Sequence, residues 1–236
     1  MKKQFFLFTM VVLLFFPRTA LSVSGSVNLL TFRVLQENEL SNDEPYLWVY
    51  GIVIDTDTIN NDRFVLPIES PGHGNITRGN VDQGYAIPIR AGTGRIFNQF
   101  NPFLGRFQFG VLVVVWEQDY TPNEKVVEAY REVGSILNNF IGEKVRALDF
   151  GDPSEEDLAQ LTKDIRNRIA EIFQDAFLWY NPLSWDPDDL VGTAFYTVQL
   201  HGNDYFRAPI EFDLRGPYGY FKGAYRVKGY LLVNEP

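Results

Sequence analysis

The sequence predicts a mainly β fold: an eight-stranded antiparallel β-sandwich with an α-helical hairpin inserted between two of its strands. Two observations carry this. Eight short runs rich in β-branched and aromatic residues are bounded by Gly, Pro, Asn and Asp, and after the fifth the apolar period changes from two to about 3.6 before strands resume. Composition agrees, since 236 residues that are 45% hydrophobic and 22% charged bury a core of their own and are neither disordered nor collagen-like.

Ahead of the first strand, Met1 to Ser22 has the form of a secretory signal peptide. Lys2 and Lys3 give a positive start, Phe5 to Phe16 is uncharged, and Ala20 and Ser22 are small residues two apart, fitting cleavage after Ser22. Twelve helical residues span only about 18 Å, short of a bilayer core of about 30 Å, so an uncleaved anchor is the weaker reading. The mature chain, 23–236, is expected to be one secreted, extracytoplasmic domain without a transmembrane segment.

Val27 to Gln36 reads as a strand leading into an acidic, Asn-rich loop. Tyr46 to Ile54 lies between Pro45 and the Asp55-Thr56-Asp57 turn, and Phe64 to Ile68 follows as a short strand. Tyr85 to Arg90 contains Pro88, which confines it to a sheet edge. Phe107 to Trp116 is the most apolar run of the mature chain and is expected at a sheet centre. Thr193 to Leu200, Pro209 to Leu214, and Gly219 to Val233 complete the set, the last as a strand or bent hairpin.

The insertion covers about 121–178. Val126, Tyr130, Val133, Leu137, Phe140 and Ile141 stripe one helix from about Asn123 to Ala147. Ser154 followed by Asp157 forms a capping box for a second, striped by Leu158, Leu161, Ile165, Ile169, Ile172, Phe173 and Phe177. The economical expectation is that these stripes pack on each other and on the sheet. A membrane-active effector or toxin using this hairpin is the alternative, although its 12 acidic and 7 basic residues are unlike the Lys- and Arg-rich faces of surface-seeking helices.

Charge narrows the partners. Without Lys2, Lys3 and Arg18 the 21 basic residues become 18 against 30 acidic ones, a net near −12, which excludes nucleic acid as an electrostatic partner. The absence of cysteine excludes disulfides, thiolate zinc sites and a cysteine nucleophile. His73 and His201 sit in Gly-containing loops and read as loop residues, and no HExxH, G-x-S-x-G or P-loop occurs. Gly92-Thr93-Gly94-Arg95 does not lead into a helix, so it is not expected to cradle phosphate. Asn75-Ile76-Thr77 has the form of a glycosylation acceptor. No catalytic residue is assigned, and the expectation is a non-enzymatic module; a carboxylate-dependent glycan-acting enzyme is a further alternative because two acids suffice for that chemistry.

Acids gather at three strand ends: Glu37 to Glu44, with Glu39 and Asp43; Glu117 and Asp119; and Asp186, Asp188 and Asp189. Calcium takes six to eight oxygen ligands at about 2.3–2.6 Å, and loops at one end of a sandwich could supply them. The expected metal ligands are therefore Glu39, Asp43, Glu44, Glu117, Asp119, Asp186, Asp188 and Asp189, with Ca2+ as the ion. The competing reading is turn chemistry alone, since Asp and Asn side chains bond local backbone; Asp55, Asp57 and Asp62 are read that way.

These segments also carry a resemblance. Asn42-Asp43-Glu44-Pro45-Tyr46-Leu47-Trp48-Val49 resembles the S-D-P-Y-V-x-V passage of C2 domains, Val115-Trp116-Glu117-Gln118-Asp119 their V-x-D-x-D, and Asp188-Asp189-Leu190-Val191-Gly192 their D-D-x-I-G, in the family's order. The resemblance implies an eight-stranded C2-like sandwich binding calcium and phospholipid. It matches Glu44 to the acid before Pro-Tyr, Glu117 and Asp119 to the acidic pair, Asp188 or Asp189 to the later acid, and Glu37 or Glu39 to the first acid of loop one. The chain departs from it in the helical insertion between the second and third clusters and in Glu at two positions where Asp is usual. The expected partner is a calcium-dependent phospholipid or glycan ligand.

Overall fold

The computed structural model describes residues 23–36, 44–77, 79, 81–100, 106–118, 121–148, 154–179, 189–201, 205–215 and 223–233, so the expected leader lies outside the described residues. The fold is mainly β, 50% strand and 31% helix, in two antiparallel sheets compatible with a sandwich. In chain order the elements are β1 (Val23–Gln36), β2 (Pro45–Ile54), α1 (Thr56–Asn61), β3 (Val65–Pro67), β4 (Ala86–Pro88), α2 (Ala91–Gly94), β5 (Arg95–Phe100), β6 (Arg106–Glu117), α3 (Asn123–Ala147), α4 (Glu155–Trp179), β7 (Asp189–His201), β8 (Phe206–Arg215) and β9 (Ala224–Val233). Sheet one runs β4-β1-β9-β8 with β5 also on β1; sheet two runs β3-β2-β6-β7.

Nine strands are present among the described residues rather than eight. The additional one, β5, pairs antiparallel with β1 from Val23↔Phe100 to Asn28↔Arg95. Its pattern hides it: Ile96 is buried, whereas Phe97, the next apolar residue, is 56% exposed. Pro88 does place β4 at an edge, and β6 is central, between β2 and β7.

Sheet two is the middle of three layers. All ten residues of β2 are buried, which requires cover on both faces. On one face, a Cβ added to Gly51 would come 2.9 Å from Ile96 Cγ2 of sheet one, so the sheets meet tightly there and only glycine fits without a shift. On the other, Tyr46, Trp48 and Tyr50 recur at every second residue, the strand period that puts them on one face, and α3 packs over them. Tyr130 of α3 stacks on Tyr50, with centroids 4.4 Å apart and planes 11° apart, and meets Trp48 edge-on at 5.7 Å. Gly134 of α3 leaves room for the Tyr50 ring, which lies 3.3 Å from where its Cβ would be.

The expected helices form at the expected places. The α3 stripe is buried at Val126, Tyr130, Val133, Leu137, Ile141 and Val145, and α4 buries Leu161, Ile165, Ile169 and Ile172. Ser154 Oγ accepts from the Asp157 amide at 3.1 Å while Asp157 Oδ2 accepts from the Ser154 amide at 2.9 Å, the capping box read from the sequence. The Ser154 hydroxyl, donating to Asp157 Oδ2 at 2.7 Å, and then the Ser154 amide hold the Asp157 carboxyl below the ordinary carboxylate range. Gln108 Nε2 of β6 donates to Thr162 Oγ1 at 2.5 Å, tying α4 to the sheet. No helix among the described residues is long and apolar enough to cross a membrane.

The Tyr130 hydroxyl joins three elements. It donates to the Val49 carbonyl at 2.7 Å and accepts from the Ile68 amide at 2.7 Å, while the Tyr130 carbonyl accepts from Tyr50 Oη at 2.8 Å. Tyr130→Phe leaves the Val49 and Ile68 groups without this partner, and each orphaned buried group costs about 1–3 kcal/mol. Together that is about 2–6 kcal/mol, so the melting temperature should fall by at least about 4 °C, at about 2–4 °C per kcal/mol for a chain of this size. Burial raises the Tyr130 pKa above the ordinary phenol value, outweighing the opposing Ile68 bond. The folded chain therefore keeps this proton where the unfolded one, near pH 10, loses it, so its contribution is full below about pH 10 and declines above it at about 1.4 kcal/mol per pH unit. Denaturant melts from pH 9 to 11 should show a slope shallower in Tyr130→Phe by about half a proton on average, rising toward about one proton at the alkaline end.

Candidate metal centre

The three acid-bearing segments meet at one end of sheet two. Glu117 ends β6, and its register partners are Pro45, the first residue of β2, and Asp189, the first residue of β7. Glu44 stands one residue outside β2, and its carbonyl accepts from the Gln118 amide at 3.2 Å, extending the pairing past the strand ends. Pro45 is tolerated because a strand's first residue can forgo its amide bond. A register irregularity between Val115 and Trp116 inserts Val191 opposite β6. Such bulges re-aim neighbouring side chains and are frequent beside functional sites. Gly192 adjoins it, and its Cβ would lie 3.3 Å from the Arg215 backbone, so the start of β7 and the end of β8 run close together at this pole.

Of the expected ligands, Glu117 is buried, at 2% exposure, and Glu44 is half-buried. Asp189 is placed by its backbone alone, and Glu39, Asp43, Asp119, Asp186 and Asp188 lie outside the described residues. Among the described residues no three His, Asp or Glu side chains come together to hold a metal ion. Glu44, Glu117 and Asp189 thus belong to neighbouring segments at one pole.

The floor behind the pole is aromatic and rigid. Trp116 lies against Trp48 at 4.9 Å and parallel to Tyr46 at 6.4 Å. Both tryptophans are buried, so neither presents a face to a sugar; Trp185 lies outside the described residues. His73 packs edge-on against Tyr46 at 4.9 Å, and its backbone amide donates to Asn123 Oδ1 at 2.8 Å, fastening the 70–76 loop to the start of α3. No local pattern announces that this loop histidine sits beside the acidic pole; His201 ends β7 opposite Arg106, at the other end of the ladder.

The remaining acids behave as turn formers. Asp55 caps α1, its Oδ1 accepting from the Thr58 amide at 2.8 Å, and is 1% exposed. Asp62 closes α1 in the left-handed conformation, φ 51°, and pairs with Arg146 at 2.6 Å. Asp55 and Glu69 line one open groove, yet Asp55 is committed to its cap and is not displayed as an acid or base. Asn75 corrects the reading of Asn75-Ile76-Thr77 as an acceptor sequence: it is 5% exposed, with Nδ2 donating to the Leu47 and Ser70 carbonyls at 2.7 and 2.9 Å and Oδ1 accepting from the Leu47 amide at 3.0 Å.

No protein-family model, curated protein or solved structure matches the chain. The likeness to C2 domains therefore rests on the three motifs themselves.

Asn75→Ala removes the bonds that hold the 70–76 loop against β2. A loss of about 2–3 kcal/mol is expected from two buried backbone groups left unsatisfied. Hydrogen exchange at the Leu47 amide should accelerate in step with that loss, while exchange in β9 follows only global unfolding.

Proposed function

We propose that the chain is an exported, non-enzymatic, C2-like module whose acidic loops bind calcium at one end of the sandwich, where the ion bridges to an anionic ligand such as a phospholipid headgroup or glycan. The observation that carries this reading is the cross-strand register of Glu117 with Asp189, flanked by Glu44 and Pro45. Directly opposite positions on an antiparallel ladder lie about 4.5–5.5 Å apart at Cβ, and like charges there are destabilising. A divalent cation removes that repulsion and gains oxygen ligands. Glu44, Glu117, Asp119 and Asp188 or Asp189 are the ligands the resemblance implies, with Glu39, Asp43 and Asp186 on the same loops.

The aromatic floor formed by Tyr46, Trp48 and Trp116 supports such a role, because metal ligands on rigid elements hold their geometry. Burial of the α3 stripe favours the hairpin as a fixed layer over a hairpin that leaves the sheet for a membrane.

Calcium at 100 times its dissociation constant stabilises the folded state by about 2.7 kcal/mol, so calorimetry should show a melting temperature higher by about 5–10 °C, reversed by chelation. The double substitution Asp119→Asn with Asp188→Asn should abolish the shift and leave the calcium-free melt unchanged. A wild-type melt that ignores millimolar calcium would sink the reading.

A further inference from the structure

The second site lies at the opposite, open seam of the sandwich, in a groove of about 860 Å3 between β5 of sheet one and the α1–β3 segment of sheet two. Its walls include five consecutive residues, Arg95 to Gln99, and four consecutive residues, Leu66 to Glu69. Successive strand residues point to opposite faces. A groove lined by consecutive ones therefore follows a strand's hydrogen-bonding edge and not a face. Among the described residues β5 pairs only with β1, so its other edge opens into this groove.

Edge strands usually carry a device against pairing with other chains, commonly proline or charge. Here β3 contains Pro67, β4 contains Pro88 and β8 contains Pro209, while β7 packs beside α4 and β8. β5 contains no proline. The opposing wall cannot compete for a strand along its length, because β3 is three residues long and Pro67 lacks a donor. The groove also has the right size. A strand residue in a sandwich occupies about 3.3 Å along the chain, 4.8 Å between strands and 10 Å between sheets, so 860 Å3 holds about five extended residues. Four charged side chains line the groove: Asp55 is committed to its cap and Glu69 stands at the end of the Leu66 to Glu69 wall, while Arg63 and Arg95 bond or pair with no described residue and are the two cations left to meet an occupant.

We propose that β5 receives an extended peptide of about five residues by strand addition, with carboxylate side chains of that peptide meeting Arg63 and Arg95. Backbone pairing along Arg95 to Gln99 supplies the attachment, and the two guanidinium groups select acidic side chains at alternate positions.

The test uses a fluorescent hexapeptide of alternating valine and aspartate with the intact mature chain. Saturable binding is expected, with amide exchange slowed at β5 and unchanged at β8. A version N-methylated at every residue, with no donor left on either edge, should not bind, and the Arg63→Glu, Arg95→Glu double variant, confirmed folded by circular dichroism, should bind at least about tenfold more weakly. Equal binding of the N-methylated peptide, equal binding of a valine–lysine peptide, or no binding at millimolar concentration would each overturn the proposal. So would concentration-dependent dimerisation with β5 protected in the absence of peptide, which makes a second copy of the chain the occupant.

Discussion

A strand buried on both faces is the constraint from which the rest of this architecture follows. β2 has no residue facing solvent, and a sheet can be dry on both sides only if a second layer of structure is laid over each. Sheet one supplies one cover and the inserted hairpin the other. The Tyr130 hydroxyl makes the second cover specific: by bonding backbone of β2 and of the segment after β3, it fixes where along the sheet α3 lies. Apolar stripes alone would permit sliding by a turn, whereas a buried hydroxyl with a donor and an acceptor to satisfy does not.

Much of this was legible in the sequence because the signals were periodic. The run Phe107 to Trp116 announced a central strand, and the stripe from Val126 to Ile141 announced a helix whose bounds match α3. The unread parts share a physical cause, which is that their meaning depends on residues far away in the chain. β5 carries no clear strand pattern because Phe97 faces outward and only Ile96 is drawn inward, toward Gly51. Asn75 looked like a surface acceptor because nothing local reveals that both its amide atoms bond Leu47.

The acidic pole was legible to a different depth. Three clusters at three strand ends suggest a shared site only if the strands run so that those ends coincide, and local pattern cannot give pairing order. The ladder from Pro45 through Glu117 to Asp189 brings the strand ends together. Asp55 and Asp62 resemble the pole residues in composition but terminate α1 and serve its caps and an ion pair.

The position of the hairpin in the chain has one more consequence. It departs after Glu117 and returns at Asp189, two residues that share a rung, so excising it would leave a gap that a tight turn can bridge. Connectivity alone would thus let the hairpin be cut out, but burial would not: without it Trp48 and Tyr50 lose the Tyr130 ring that covers them.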